Sequence, residues 1–154
     1  MVMRRVKGSA EFSAGLAAVL LTMLFALTLA AGPAFAQTKV FAIVPKSLDN
    51  PFFADVEAGA AVAAQELGVE LQFVGPPTHD IAGQIAVLES LIESGVDGIA
   101  VSPTDAASVT PVIRRAIQAG IPVITFDSDA GLESGRIAFV GTDNYAGGVA
   151  AGEA

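Results

Sequence analysis

The 154 residues contain no cysteine and no tryptophan, one histidine, one tyrosine and few basic side chains. Without cysteine there is no disulfide, no thiolate metal site and no lipid-modified N-terminal cysteine. Any folded part must be held by a packed core, which a chain of this length can supply. His79 has no second histidine and no cysteine with which to complete a metal site or a catalytic dyad. It reads as a polar loop residue beside Asp80. Only eight Lys and Arg stand against sixteen Asp and Glu, for a net charge of −8. Nucleic-acid binding rests on clustered cations that neutralise phosphates, so that class is excluded. The acidity itself fits solubility.

What the chain does have is apolar bulk, 53% of residues with a mean hydropathy of +0.61, unevenly spread. Arg4, Arg5 and Lys7 precede an almost unbroken apolar run over 12–31, which ends in Gly32-Pro33-Ala34-Phe35-Ala36 and then Gln37. A basic start, an apolar middle and an Ala-x-Ala end describe a secretory signal at 1–36, cleaved after Ala36. The run is long enough to span a bilayer, but the Gly-Pro break and the Ala34/Ala36 pair favour cleavage over a retained anchor. The expected location is therefore the periplasm. Residues 37–154 would form the mature part, 118 residues with five basic and fifteen acidic side chains and a net charge of −10.

In that part short β-branched runs alternate with longer amphipathic stretches. Strands are predicted at 39–44, 69–74, 97–101, 122–126 and 137–140. Helices are predicted at 51–67, capped by Asp49 or Asn50 with Pro51 in the first turn; at 81–94, capped by Asp80; at 105–119; and from Tyr145 onward. Ile81, Ile85, Leu88 and Ile92 should form the buried stripe of the second helix. Val109, Val112, Ile113, Ala116 and Ile117 should form that of the third. One joint recurs at Leu67-Gly68-Val69, Ser94-Gly95-Val96 and Ala119-Gly120-Ile121, a glycine that ends a helix and drops the chain into a strand. Alternation of this kind predicts βαβ units, and right-handed crossovers predict an α/β, doubly wound parallel sheet with helices on both faces.

Ligands of such sheets bind beyond the carboxyl ends of the strands, which directs attention to 45–50, 75–80, 102–105 and 127–131. The first of these loops runs into PKSLDNPFF, with no glycine-rich phosphate cradle, so it does not read as a nucleotide site. It offers a lysine, an amide and two adjacent aromatics, and the fourth loop offers Asp127 and Ser128. That set suits a sugar, whose C–H faces take aromatic rings and whose rim donates and accepts hydrogen bonds. Asn50 can both donate and accept, and it serves either as a cap alone or as cap and ligand contact. Asp127 can receive two neighbouring hydroxyls. Phe52 and Phe53 point roughly 100° apart on a helix, so one can be core while the other faces the cleft.

VPKSLDNPFF, GVDGIAVSPTD, AGIPVITFDSDA and FVGTDNYAGG, in this order and on these elements, resemble the sugar-binding subgroup of type I periplasmic binding proteins, the ribose- and galactose-receptor kind. The resemblance runs from about Lys39 to the last residue. It implies two lobes that close on a monosaccharide or similar small polyol and deliver it to the membrane permease of an ABC importer, the receptor acting as a monomer with no cofactor, no metal and no catalysis. It implies that 37–142 is the first lobe, that 143–154 begins the second, and that the chain is a fragment. The asparagine and aromatics of the first loop match Asn50, Phe52 and Phe53, and the aspartate after the fourth strand matches Asp127. In ribose receptors an arginine follows that aspartate; here it is Ser128, which removes a cation from the site and leaves Lys46 as the candidate to supply one. On these assignments Asp127→Ala should abolish binding with the fold intact, and Phe53→Ala should weaken binding more than stability.

Three alternatives share parts of this pattern. A regulator of the lactose-repressor kind would carry a DNA-binding helix pair where this chain has its export signal. A chemotaxis or sensor receptor would carry the same sugar site. Asp127-Ser128-Asp129 also resembles the start of haloacid-dehalogenase-type phosphatases, which use two aspartates and magnesium. That motif ordinarily sits on the first strand, whereas here it follows the fourth and no lysine comes after it.

Overall fold

The computed structural model describes residues 37–154, so the export signal and its cleavage after Ala36 lie outside the described residues. In chain order come β1 (Val40–Val44), α1 (Pro51–Leu67), β2 (Glu70–Phe73), α2 (Ile81–Ser94), β3 (Gly98–Val101), α3 (Ala106–Gln118), β4 (Val123–Phe126), a 3-10 turn (Leu132–Ser134), β5 (Phe139–Val140) and α4 (Asn144–Glu153). The first two helices occupy the predicted residues. The strands are shorter than predicted because residues such as Asp97, Val74 and Ile137 make single bonds at the ladder ends, to Val40, Ile43 and Val123.

Local chemistry sets the boundaries. Asn50 Oδ1 accepts from Phe52 N at 3.0 Å, Asp80 Oδ1 from Ala82 N at 3.0 Å and Asp105 Oδ1 from Ser108 N at 2.7 Å. Each such cap is worth about 1 kcal/mol. Gly68 and Gly95 end α1 and α2 in the left-handed conformation, at φ 65° and 70°. The third joint differs slightly: α3 ends on Ala119 in right-handed geometry, and Gly120, at φ 86°, turns one residue later.

All five strands are parallel in the order β2-β1-β3-β4-β5. The order reverses at β1, so the loops leaving β1 and β3 diverge to opposite faces and open a crevice between them. Side-chain alternation divides the sheet into two faces. Ala42, Val44, Ile99, Val101 and Val123 join Leu88, Leu91, Val109, Val112, Ile113 and Ala116 in one buried cluster under α2 and α3. Phe41, Ile43, Ala100 and Ile124 point the other way, where α1 packs against β2. On that side an apolar groove of ≈ 330 Å³ runs between α1 and the sheet, lined by Phe41, Leu67, Leu71 and Ile124 among others.

The α2 stripe is rotated from the expected one. Gln84, Leu88 and Leu91 are its buried residues; Ile85 and Ile92 pack at the flank, and Ile81 is exposed. The buried face is centred on Gln84, a polar residue that the expected stripe left out but which is fully buried.

Candidate functional site

Strand register brings the site residues to one level. Val44 pairs with Val101 and Val101 with Thr125, so the residues just past β1, β3 and β4 lie side by side. Lys46, Ser102 and Asp127 occupy those places and touch. Asp127 Oδ2 accepts from Ser102 Oγ at 2.9 Å and pairs with Lys46 Nζ at 2.9 Å. Ser102 is fully buried, while the Lys46 and Asp127 side chains are 27% and 32% exposed. The ammonium of the first loop thus lies beside the carboxylate of the fourth.

Asp127 is the one described non-glycine residue at positive φ, 58°. Aspartate tolerates the left-handed region better than most residues, at a cost of about 1 kcal/mol. The turn is fixed by its neighbours: Asp127 N donates to Val140 O at 3.0 Å and Ser128 N to Phe126 O at 2.6 Å. The reversal aims the carboxylate across the strand ends.

Gln84 ties these loops together from beneath. Its Nε2 donates to Pro45 O at 2.9 Å and to Ser102 O at 2.8 Å, and its Oε1 accepts from Thr104 N at 2.8 Å. Sequence reasoning missed this residue. The available signal was its spacing of four and then seven from Leu88 and Leu91, which puts it on their face.

The two phenylalanines divide their roles. Phe52 is 52% exposed, and with Asp127 it lines a cleft of ≈ 460 Å³ whose other walls include Val56, Phe126 and residues 140–142. Phe53 is 2% exposed and does not line it. Its ring stands edge-on between Phe52, 5.2 Å away, and Phe126, 6.2 Å away. Phe53 packs inward behind Phe52, as successive helical side chains diverge by about 100°. Asn50 is exposed and spends Oδ1 on its cap, which leaves the amide nitrogen outside the cap. Ser128 is partly buried and, like Lys46 and Asn50, stands outside the cleft lining.

Asp129 belongs to a separate cluster. Arg136 grips both of its oxygens, with Nη2 at 2.5 Å from Oδ2, and Thr125 Oγ1 donates to Oδ1 at 2.7 Å. The Arg136 bond holds the Asp129 carboxyl down at about 2. The two aspartates of the DSD sequence are therefore each committed to a different cation, an arrangement a shared magnesium would have to break. Among the described residues no group of three or more His, Asp or Glu is placed to hold a metal ion.

Known proteins resemble this chain in fold and sequence. The D-ribose/D-allose-binding protein of Pseudomonas aeruginosa is 36% identical over 120 residues, covering 73% of this chain and 38% of that protein. A glucose-galactose binding protein from Geobacillus stearothermophilus superimposes with a TM-score of 0.71 at 40% identity, over 76% of this chain and 41% of that one. A solute binding protein from Burkholderia graminis, in complex with D-arabinose, gives 0.72 at 41% identity, over 77% and 40%. The chain thus spans about two fifths of the length of these relatives. The family model for the periplasmic binding protein domain matches residues 41–154, and this chain belongs to that family.

Proposed function

We propose that this chain contributes the first lobe of a periplasmic solute-binding receptor, and that the receptor captures a monosaccharide or similar small polyol for the membrane permease of an ABC importer. The observation that carries the reading is the meeting of an aromatic ring, Phe52, and an oriented carboxylate, Asp127, on one cleft at the carboxyl ends of a parallel sheet. A sugar face stacks on the ring while its rim meets the carboxylate and the amide of Asn50. The names of the relatives, which bind ribose, allose, glucose, galactose and arabinose, support a sugar over other solutes. Residues 1–36 are the export signal, removed after Ala36; 37–142 form the lobe, and 143–154 begin the second lobe.

A thermal-shift screen of the protein at its full natural length, against monosaccharides and polyols, tests this. A ligand at a thousandfold excess over Kd stabilises the folded state by about 4 kcal/mol, a shift of several degrees. A selective shift with one sugar is expected. No shift with any sugar, and a shift with an amino acid instead, would overturn the proposal.

A further inference from the structure

The chain leaves the sheet at β5, and the side chains that hold this exit lie outside the cleft. The inference drawn from them rests on the two-lobe receptor reading above. The last ladder bond runs from Asp127 N to Val140 O at 3.0 Å, and Asp143 Oδ1 already caps α4 by accepting from Ala146 N at 3.0 Å. Only Gly141, Thr142 and the Asp143 cap stand between strand and helix. A change of lobe angle is absorbed by short connections of this kind.

The backbone of Gly141 does not itself call for glycine, since its φ is not positive. The reason is Phe139, two residues back and on the same side of the strand. A β-carbon built on Gly141 would collide with Phe139 Cζ and would lie 2.8 and 3.0 Å from Cε2 and Cε1. An aromatic ring laid over a strand glycine restores the cover that the missing side chain removes. The ring is held in turn. The Arg136 guanidinium lies over it, 5.9 Å from the ring centroid. Arg136 is gripped by Asp129, which also accepts from the buried Thr125 Oγ1 at 2.7 Å. The Arg136 side chain is only 11% exposed. An unbroken stack therefore runs from β4 through Asp129, Arg136 and Phe139 to the exit glycine. None of these three side chains lines the cleft.

We propose that this stack is a brace on the crossing between lobes. It seats the Phe139 ring on Gly141, fixes the direction in which the chain leaves β5, and so narrows the range of angles the second lobe explores before ligand arrives. Asp129, Arg136 and Phe139 are on this account positioning residues. The apparent Kd is the intrinsic one divided by the fraction of receptors whose lobes are oriented to bind. Loss of the brace lowers that fraction while every contact to the ligand stays intact.

The test uses the full natural chain with one nitroxide label at Glu93→Cys on α2 and a second on the other lobe. Distances between the labels are measured by pulsed electron resonance, without and with the panel monosaccharide that shifts the unfolding midpoint most. Without sugar, Phe139→Leu should widen the distance distribution relative to wild type. Saturating sugar should restore the wild-type distance, and Kd should rise by about threefold to tenfold. Gly141→Ala should displace the ring and shift the sugar-free mean distance. With Phe139→Leu in the same chain that shift should vanish, because the alanine then has no ring to meet. Gly141 is exposed, so Gly141→Ala decides alone if Phe139→Leu does not fold. Residues that merely stabilised the lobe would lower the unfolding midpoint and leave the distribution unchanged. Sugar-free distributions that match wild type in both variants overturn the brace, and the receptor reading stands as long as sugar still moves the labels. A full chain that binds no sugar, or whose labels stay put when it does, fails the receptor reading and the brace with it.

Discussion

A fully buried amide at position 84 makes three hydrogen bonds to the backbones of two loops that carry the site. Leucine would fit the apolar surroundings but leave the carbonyls of Pro45 and Ser102 and the N–H of Thr104 without that partner. Groups stranded in this way cost about 1–3 kcal/mol each. Gln84→Leu is therefore expected to lower stability by about 3 kcal/mol or more in urea unfolding, and to loosen the Lys46 and Ser102 positions on which Asp127 depends. A stability within about 0.5 kcal/mol of wild type would show that water replaces the amide at little cost. Asp127 also departs from the simple expectation that alanine would leave the fold untouched. Its carboxylate satisfies the buried Ser102 hydroxyl, and its backbone sits at positive φ. Asparagine, which keeps an acceptor and tolerates that φ, is the cleaner substitution.

Two elements decide how the cleft is held open. In the first turn of α1, Asn50 fixes the entry and the Phe52–Phe53–Phe126 stack fixes the wall. Phe53→Ala empties a buried ring site and should cost about 3–5 kcal/mol in stability, whereas Phe52→Ala, at a half-exposed ring, should leave the unfolding midpoint near wild type and weaken ligand binding. Equal losses of stability from both would contradict the division of roles. The crossover from β4 to β5 is pinned by Asp129, gripped by Arg136 and Thr125. Because the folded carboxyl titrates near 2 rather than at its ordinary 3.8, its stabilisation is complete above about pH 4 and is lost as the pH falls toward 2. Asp129→Asn should therefore destabilise the protein at neutral pH and flatten the acid limb of the stability curve. An acid limb as steep as that of wild type would place the relevant titration elsewhere. This pinning was not legible in the sequence, where Asp129 and Arg136 are two loop residues seven apart. Nor was the Lys46–Asp127 contact, made by residues 81 positions apart that only the parallel register brings level. Caps and helix lengths were legible, because they depend on neighbours along the chain.

At the scale of the whole sheet, apolar residues alternate onto both faces, and the α/β alternation, the parallel order and the doubly wound plan followed from that pattern with little tertiary information. What the pattern did not show is how unequally the faces are covered. α2 and α3 seal one face, while on the other Phe41 is 36% exposed and Ile124 is only partly buried beside the ≈ 330 Å³ groove. An exposed apolar patch of this kind is a binding surface or a liability. Residues 37–154 expressed alone should brighten an apolar fluorescent dye, and Ile124→Ser should reduce the signal; no enhancement would mean that the groove closes in solution. The strand order has a further consequence, in time rather than in energy. β1 is made first and sits between β2 and β3, but Val40 must wait for Glu70, and Phe41 for Gly98, before either ladder can close. With no hairpin anywhere in the sheet, every rung is a long-range contact, so folding is slow for the chain's size. For a polypeptide that we propose crosses a membrane before it works, that delay lengthens the time before the sheet closes.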